Sequence, residues 1–220
     1  MCIRDRHEDQ DVLQDIPPKR VLHSSPPRSI HVPRGSLPFS SRTGIFMTTP
    51  WLTLIGIGED GREGLSAAAL HLIDHAPYII GGTRHLSLIG PVKGETVAWP
   101  HPFDEGIKTI CARRGDETVV LASGDPFLYG VGATLSRHIS ADEMTVIPAP
   151  SSFSLMAAQL NWALQDCAQI TLHGRPLERI IPHLQPGARL LALSWDGTTP
   201  QKLAALLVKR GFPKSHLHIG

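Results

Sequence analysis

Three loops of this sequence combine glycine, carboxylate and serine residues in patterns that can bind a small polar ligand. They are residues 56–66 (GIGEDGREGLS), residues 123–132 (SGDPFLYGVG) and residues 148–160 (PAPSSFSLMAAQL). Glycine lets a backbone turn tightly and approach a ligand without a Cβ in the way. A serine at the start of a helix lies beside free N–H groups that favour a polar or anionic group.

Each loop also has a purely structural interpretation. The first loop matches G-x-G-x-x-G at Gly56, Gly58 and Gly61, but the acidic residue that a dinucleotide site needs about 20 residues later is absent from YIIGG. Asp125 can cap the helix expected directly after it, and Ser151 can cap the next one. At every loop, a tight turn or a helix cap therefore stays open beside ligand binding.

Two further loops carry basic side chains that can hold a carboxylate. Arg84 and His85 lie in GGTRHL, and His173 and Arg175 lie in LHGRP, each after an apolar run. The planar guanidinium of arginine suits a carboxylate bidentately, although an ordinary surface ion pair is equally compatible with the sequence.

Metal binding has little support in the sequence. His71 and His75 have the i, i+4 spacing of a two-histidine metal face but lack the glutamate of a zinc protease. The three cysteines form no C-x-x-C pair, which argues against both a zinc site and a disulfide framework. We therefore expect no metal, and a reducing, cytoplasmic setting.

The elements that position these loops alternate along the chain from residue 51. Apolar runs predict buried strands at residues 51–56, 78–81, 118–123, 144–148, 168–172, 189–194 and 216–219. Helical patterns occupy residues 63–75, 104–114, 128–138, 151–162, 176–184 and 200–210. This alternation predicts an α/β fold with mostly parallel sheets and helices on both faces. In such sheets ligands bind beyond the carboxyl ends of the strands, where the three loops fall.

The chain divides into three predicted regions. Residues 1–46 are rich in proline and serine and show no periodicity, which predicts a disordered or non-native extension. We take Met47 as the natural start of the protein. Residues 47–147 predict an N-terminal α/β domain. Residues 148–220 predict a C-terminal α/β domain that stops within a strand and loop, so we expect it to be incomplete and the chain to be less stable for that reason.

Composition excludes several classes of protein. With 41% hydrophobic and 19% charged residues, the 220-residue chain can form a core. Its formal net charge of +1 gives no basic field of the kind that nucleic-acid binders use. No apolar run approaches the roughly 18 residues needed to span a bilayer. We expect neither a nucleic-acid partner nor a membrane span.

The number and order of the motifs resemble the class III, tetrapyrrole-type S-adenosylmethionine-dependent methyltransferases. The resemblance runs from about residue 52 to the end, through WLTLIGIGEDGREGLS, IIGGTRHL, VAWPHPF, VVLASGDPFLYGVGATL, VIPAPSSFSLMAAQLNWALQD, LHGRP and DGTTPQKLAALLVKRGF. It implies two α/β domains with the active site in the cleft between them and S-adenosylmethionine as co-substrate. It also implies methylation at C5 of a precorrin or cobalt-precorrin macrocycle in cobalamin biosynthesis.

The resemblance implies roles for individual residues. The family's GDP and P-x-x-SS loops contact the methyl donor. One residue of the first glycine loop and one after the strand RLLAL are added to them. The implied donor contacts are Ile57, Gly124, Asp125, Leu128, Gly130, Ser151, Ser152 and Ser194. The implied substrate contacts are Gly58, Arg84, His173 and Arg175. Many relatives have G-x-G-P-G-D where this chain has G-I-G-E-D-G. Glu59 and Asp60 are therefore both candidates for the base that accepts the proton released by methylation.

Partners and alternatives follow from the same resemblance. The family tends to be dimeric, so a homodimer is expected, and many relatives are fused to or act beside a partner that methylates C15 and removes a carboxyl group. Three alternatives stay open. One is a relative acting on another acceptor, such as ribosomal RNA or the diphthamide precursor. The others are a nucleotide-dependent oxidoreductase built on the first glycine loop, and a non-catalytic binding module.

Overall fold

The structure is a computed structural model that describes residues 2–5 and 49–220. The strands are β1 (Cys2–Asp5), β2 (Leu52–Ile57), β3 (Tyr78–Gly81), β4 (Glu95–Ala98), β5 (Thr118–Ser123), β6 (Met144–Ile147), β7 (Cys167–Thr171), β8 (Arg189–Leu193) and β9 (Ser215–His218). The α-helices are α1 (Ala67–His75), α2 (Thr83–Ile89), α3 (Phe103–Ala112), α4 (Val131–Leu135), α5 (Ser152–Gln159) and α6 (Thr199–Lys209). Short 3₁₀ helices cover Gly61–Gly64, Ala141–Glu143, Leu164–Asp166 and Leu177–His183.

The first sheet has the order β4-β3-β5-β2-β6, and all its neighbouring strands are parallel. Successive side chains of a strand point to opposite faces, so a strand covered on both sides reads as a continuous apolar run. The run in β2 follows this rule. Leu54 packs in one cluster with Ile110 of α3, and Ile55 packs in another with Ile73 of α1. The carboxyl ends of all five strands consequently lie at one edge of this sheet.

The second sheet has the order β7-β8-β1-β9. Strands β7 and β8 are parallel, and β1 is antiparallel to both of its neighbours. Helix α6 covers one face through Leu203 and Leu207, and α5 covers the other by packing Phe153 and Ala157 on Leu191. The prediction of an α/β fold with mostly parallel sheets is confirmed.

Several predicted elements differ in detail from the structure. The pattern at residues 128–138 gives a helix only at Val131–Leu135, because turns occupy the residues before it. The pattern at 176–184 gives a 3₁₀ helix with Pro182 inside it, and proline lacks the N–H that an α-helix would use. Strand β4 and helix α2 were not predicted.

The N-terminal extension was expected to lack regular structure, which is wrong for Cys2–Asp5, because this segment pairs with β8 and β9. The rest of residues 1–46 lies outside the described residues. The proposed domain boundary at residues 147 and 148 falls between the two sheets, yet the described residues form one compact unit. A division into two domains there stays a prediction. Among the described residues, no helix combines the length and apolar character that crossing a membrane requires.

Candidate active site

The loops after β2, β5 and β6 meet at the carboxyl edge of the first sheet. These three strands are neighbours in the sheet, so their ends are adjacent. The Gly124 N–H donates to the Ile57 carbonyl at 3.0 Å, and the Ala149 N–H donates to the Gly124 carbonyl at 3.1 Å. Backbone hydrogen bonds therefore join all three loops.

Two glycines make this approach possible. A Cβ on Gly56 would overlap the carbonyl oxygen of Gly124 and lie 2.5 Å from the backbone nitrogen of Ala149. Gly124 has a φ of +55°, a conformation that disfavours other residues, and a Cβ there would lie 3.0 Å from the Pro150 carbonyl oxygen. At both glycines the missing Cβ leaves room for the backbone of a neighbouring loop. The sequence had left both a tight turn and the approach of a ligand open for the first-loop glycines.

A cavity of about 870 Å³ opens where these loops meet, a size typical of small-molecule sites. The loop after β7 and the end of β8 complete its wall from the second sheet. The predicted site residues that line it are Ile57, Gly58, Glu59, Arg84, Gly124, Asp125, Leu128, Gly130, Ser151, Ser152, His173 and Arg175.

Two predicted site residues, Asp60 and Ser194, are not brought to the cavity wall. Asp60 is exposed, and its carboxylate lies beside Gly58, where a Cβ would come within 2.6 Å of Oδ1. Ser194 is also exposed, and the preceding residue, Leu193, lines the cavity. The side chains of successive residues in a turn or an extended segment point in different directions. The neighbour of a residue that lines the cavity can therefore point away from it.

Asp125 holds the turn that follows β5. Its Oδ1 accepts a hydrogen bond from the Phe127 N–H at 2.8 Å, and its carbonyl accepts one from the Leu128 N–H at 3.1 Å. Because α4 begins only at Val131, the interpretation of Asp125 as the cap of a helix directly after it is wrong. The half-buried carboxylate fixes the turn that lines the cavity.

Ser151 is the N-cap of α5. Its Oγ accepts a hydrogen bond from the Ser154 N–H at 3.1 Å, which confirms the capping interpretation. Ser152, the first residue of the helix, is exposed and lines the cavity beside it. The first-turn N–H groups of a helix lack intrahelical partners, so this end of α5 suits a polar or anionic group.

Basic side chains form another part of the cavity wall. Arg84 makes an ion pair with Glu59, which joins α2 to the first glycine loop. His173 and Arg175 are exposed on the loop after β7, where the His173 N–H donates to Thr171 Oγ1 at 3.2 Å. The cavity thus presents cations from both sheets, an arrangement that suits a ligand with several carboxylates.

Sequence reasoning missed a contact between His85 and Ser123. Nε2 of His85 lies 2.7 Å from Oγ of Ser123, and both residues line the cavity. Burial and the nearby Arg84 cation lower the pKa of His85 below its ordinary value. The motif GGTRHL placed His85 after a strand, but no sequence signal identified Ser123 as its partner.

An aromatic pair on the cavity wall was also missed. Trp99 and Phe103 stack with ring centroids 5.0 Å apart, and Trp99 Nε1 donates to the Phe103 carbonyl at 3.0 Å. Both residues line the cavity. They give it a flat apolar surface beside its charged groups.

The sequence is similar to proteins named as methyltransferases of precorrins and cobalt-precorrins. It is 52% identical over 174 residues to a precorrin-6Y C(5,15)-methyltransferase [decarboxylating] from Sinorhizobium, covering 79% of this chain and 42% of the relative. It is 35% identical over 163 residues to a cobalt-precorrin-7 C(5)-methyltransferase from Salmonella typhimurium, covering 73% of this chain and 79% of that relative. The chain thus spans about two fifths of the length of its decarboxylating relatives.

Solved structures agree in fold. A precorrin-6Y methylase of cobalamin biosynthesis from Archaeoglobus fulgidus superposes with a TM-score of 0.53 and 26% identity, over 69% of this chain and 76% of that one. A uroporphyrin-III C-methyltransferase from Thermus thermophilus, complexed with S-adenyl homocysteine, gives a TM-score of 0.53 and 20% identity, over 73% and 76% of the two chains. The family model for Tetrapyrrole (Corrin/Porphyrin) Methylases matches residues 51–216. The chain therefore belongs to the tetrapyrrole (corrin/porphyrin) methylase family.

Proposed function

We propose that this chain transfers a methyl group from S-adenosylmethionine to C5 of a precorrin or cobalt-precorrin macrocycle in cobalamin biosynthesis. The observation that carries the proposal is the convergence of the loops after β2, β5 and β6 on one cavity. The names of the relatives support C5 as the position. C5 is common to both names, and the chain covers most of the relative that is named for C5 alone.

The cavity residues fit the methyl donor. S-adenosylmethionine, when bound, supplies a methyl group on a sulfonium cation. The turn from Gly124 to Gly130, which includes Asp125 and Leu128, lines the cavity, and we assign its oxygen atoms to face that cation. Ile57 and the start of α5 at Ser151 and Ser152 complete the proposed donor contacts.

The charged residues fit the acceptor. We assign Arg84, His173 and Arg175 to the carboxylates of the macrocycle, since all three line the cavity. Gly58 borders the same space. Holding two reactants in line supplies a large part of the acceleration in a displacement. Glu59, kept on the wall by its ion pair with Arg84, is our candidate to accept the proton that methylation releases.

Ligand binding and label transfer test the proposal. We expect the full chain to bind S-adenosylhomocysteine in calorimetry, and to transfer labelled methyl from S-adenosylmethionine to cobalt-precorrin-7. Asp125→Ala removes the oxygen that accepts from the Phe127 N–H and should weaken donor binding. Asp125→Asn retains that acceptor and serves as the matched control. Binding of NADH without binding of S-adenosylhomocysteine would refute the proposal.

We also propose a homodimer in the cytoplasm, with a fused or separate partner that methylates C15 and decarboxylates the macrocycle. The larger size of the decarboxylating relatives supports such a partner. Light scattering of the purified chain tests the dimer.

A further inference from the structure

The pair formed by His85 and Ser123 has no part in the roles described above. Ser123 is the last residue of β5, and His85 lies in α2, which follows the neighbouring strand β3. The two residues come from adjacent positions on the sheet edge, with Nε2 and Oγ 2.7 Å apart. Both side chains belong to the cavity wall.

The surroundings of His85 decide which ring nitrogen carries the proton. Burial and the Arg84 cation lower the pKa of His85, so its imidazole is neutral at pH 7 and has one N–H. Nδ1 is shielded from solvent, has no hydrogen-bond partner among the described residues and faces Gly82. A buried N–H without an acceptor costs free energy, and orphaned donors are rarer than orphaned acceptors. The proton therefore belongs on Nε2, which donates to Ser123 Oγ.

This arrangement fixes the direction of the Ser123 hydroxyl. An oxygen that accepts from Nε2 directs its own proton toward a different acceptor. Ser123 is exposed at the cavity, whose lining carries Arg84, Arg137 and Arg175 against Glu59 and Asp125, an excess of positive charge that favours an anionic group. We propose that His85 orients the Ser123 hydroxyl to donate a hydrogen bond to a carboxylate of the bound ligand.

The inference rests on the proposed function, in which both ligands carry carboxylates. Ser123 would contact the ligand, and His85 would be a positioning residue. The shared chemistry is a carboxylate, which either the methyl donor or the macrocycle can supply.

Affinity measurements with two probes separate these sources. The probes are S-adenosylhomocysteine and cobyrinic acid, a corrin with free carboxylates, each titrated calorimetrically against the full chain. We expect Ser123→Ala to weaken one of them about ten- to hundred-fold, the usual loss for a hydrogen bond to a charged group. The weakened probe identifies the source of the carboxylate.

Variants of His85 test the positioning role. His85→Leu should weaken the same probe to a similar degree, and combining it with Ser123→Ala should add little. His85→Gln retains an N–H donor and should stay within about threefold of wild type, since the hydrogen bond is preserved. Ser87→Ala on the same helix, whose hydroxyl donates to the Thr83 carbonyl, is the matched control.

A spectroscopic measurement tests the proton position independently of binding. In ¹⁵N NMR of the labelled chain at pH 7, the His85 signals, assigned by their loss in His85→Gln, should show a protonated Nε2 and a bare Nδ1. A proton on Nδ1 would overturn the inference. So would a His85→Gln variant that binds as weakly as His85→Leu, because the imidazole would then act other than as a donor.

The inference and the proposed function fail in different ways. If the wild-type chain binds at least one probe and Ser123→Ala changes the affinity for no probe that binds, the inference is refuted and the proposed function still stands. A wild-type chain that binds neither probe refutes both.

Discussion

Adjacent residues of the first glycine loop have different surroundings. Glu59 lines the cavity and pairs with Arg84, whereas Asp60 lies outside the wall beside Gly58. The family resemblance made both carboxylates candidate bases, because residue type and spacing cannot tell which side of a turn a side chain occupies. The backbone direction at each position makes that distinction.

The two carboxylates give a matched pair of variants. Glu59→Gln removes the proposed proton acceptor and should lower the rate of methyl transfer about 10²- to 10⁴-fold. Asp60→Asn should stay within about threefold of wild type, because Asp60 does not line the cavity. Single-turnover transfer of labelled methyl measures both. A larger loss in Asp60→Asn than in Glu59→Gln would contradict the assignment.

At the scale of elements, the strands β2 and β5, which lead into loops with proposed donor contacts, were predictable. β2 and β5 are buried on both faces and appear as apolar runs. The strand β4 and the helix α2 were not predictable, for physical reasons. ETVA in β4 is largely exposed, so it lacks the apolar signal of a core strand. α2 is a seven-residue helix flanked by Gly82 and Gly90. Missing α2 meant missing the contact between His85 and Ser123.

The contact between the loops after β2 and β5 predicts the effect of Gly56→Ala. The added Cβ would overlap the Gly124 carbonyl, and overpacking typically costs about 1–3 kcal/mol in the free energy of unfolding. Donor affinity should fall with it, because the displaced loop lines the cavity. Gly197→Ala is the control, since its Cβ would meet nothing within 4 Å. Denaturant unfolding and calorimetry measure the two effects, and equal stability of both variants would exclude the close contact.

Helix α2 also gives a prediction about pH. Burial and Arg84 lower the pKa of His85 in the folded chain below its ordinary value of 6.5. As the pH falls below about 6.5, the unfolded chain therefore binds more protons than the folded chain, and the free energy of unfolding decreases in that range. Above that pH the effect is absent. Other groups titrate in the same interval, so the informative quantity is the difference between wild type and His85→Gln.

Urea unfolding of both proteins between pH 5 and pH 8 measures this difference. Wild type should lose more stability toward acid than His85→Gln, and the two curves should run parallel above pH 7. Identical acid slopes would mean that the pKa of His85 is the same in the folded and unfolded chains.

At the scale of the whole molecule, one cavity draws its wall from both sheets. Ile57 and Gly124 belong to the first sheet and its loops, whereas Thr171, His173 and Leu193 belong to the second. The family resemblance implied this meeting. The sequence periodicities predicted the strands but carried no information about which loops of distant elements would touch.

This shared wall predicts a distributed response to ligand. Binding to the folded state stabilises it by about 2.7 kcal/mol at a concentration 100 times the dissociation constant. We expect S-adenosylhomocysteine to slow hydrogen exchange in residues 57–59, 124–130 and 151–153, the segments that contain the proposed donor contacts. Adding cobyrinic acid should extend protection to residues 171–175, because His173 and Arg175 are the proposed carboxylate contacts from the second sheet.

Helix α6 supplies the internal reference for this experiment. Residues Thr199–Lys209 pack on the face of the second sheet opposite α5, through Leu203 and Leu207. Its exchange should follow global stability alone, so loop protection must exceed that of α6 to report direct contact. Equal protection of α6 and the loops would indicate general stabilisation. Protection by cobyrinic acid confined to the first sheet would remove His173 and Arg175 from the substrate site and locate the macrocycle among α2, Trp99 and Phe103 instead.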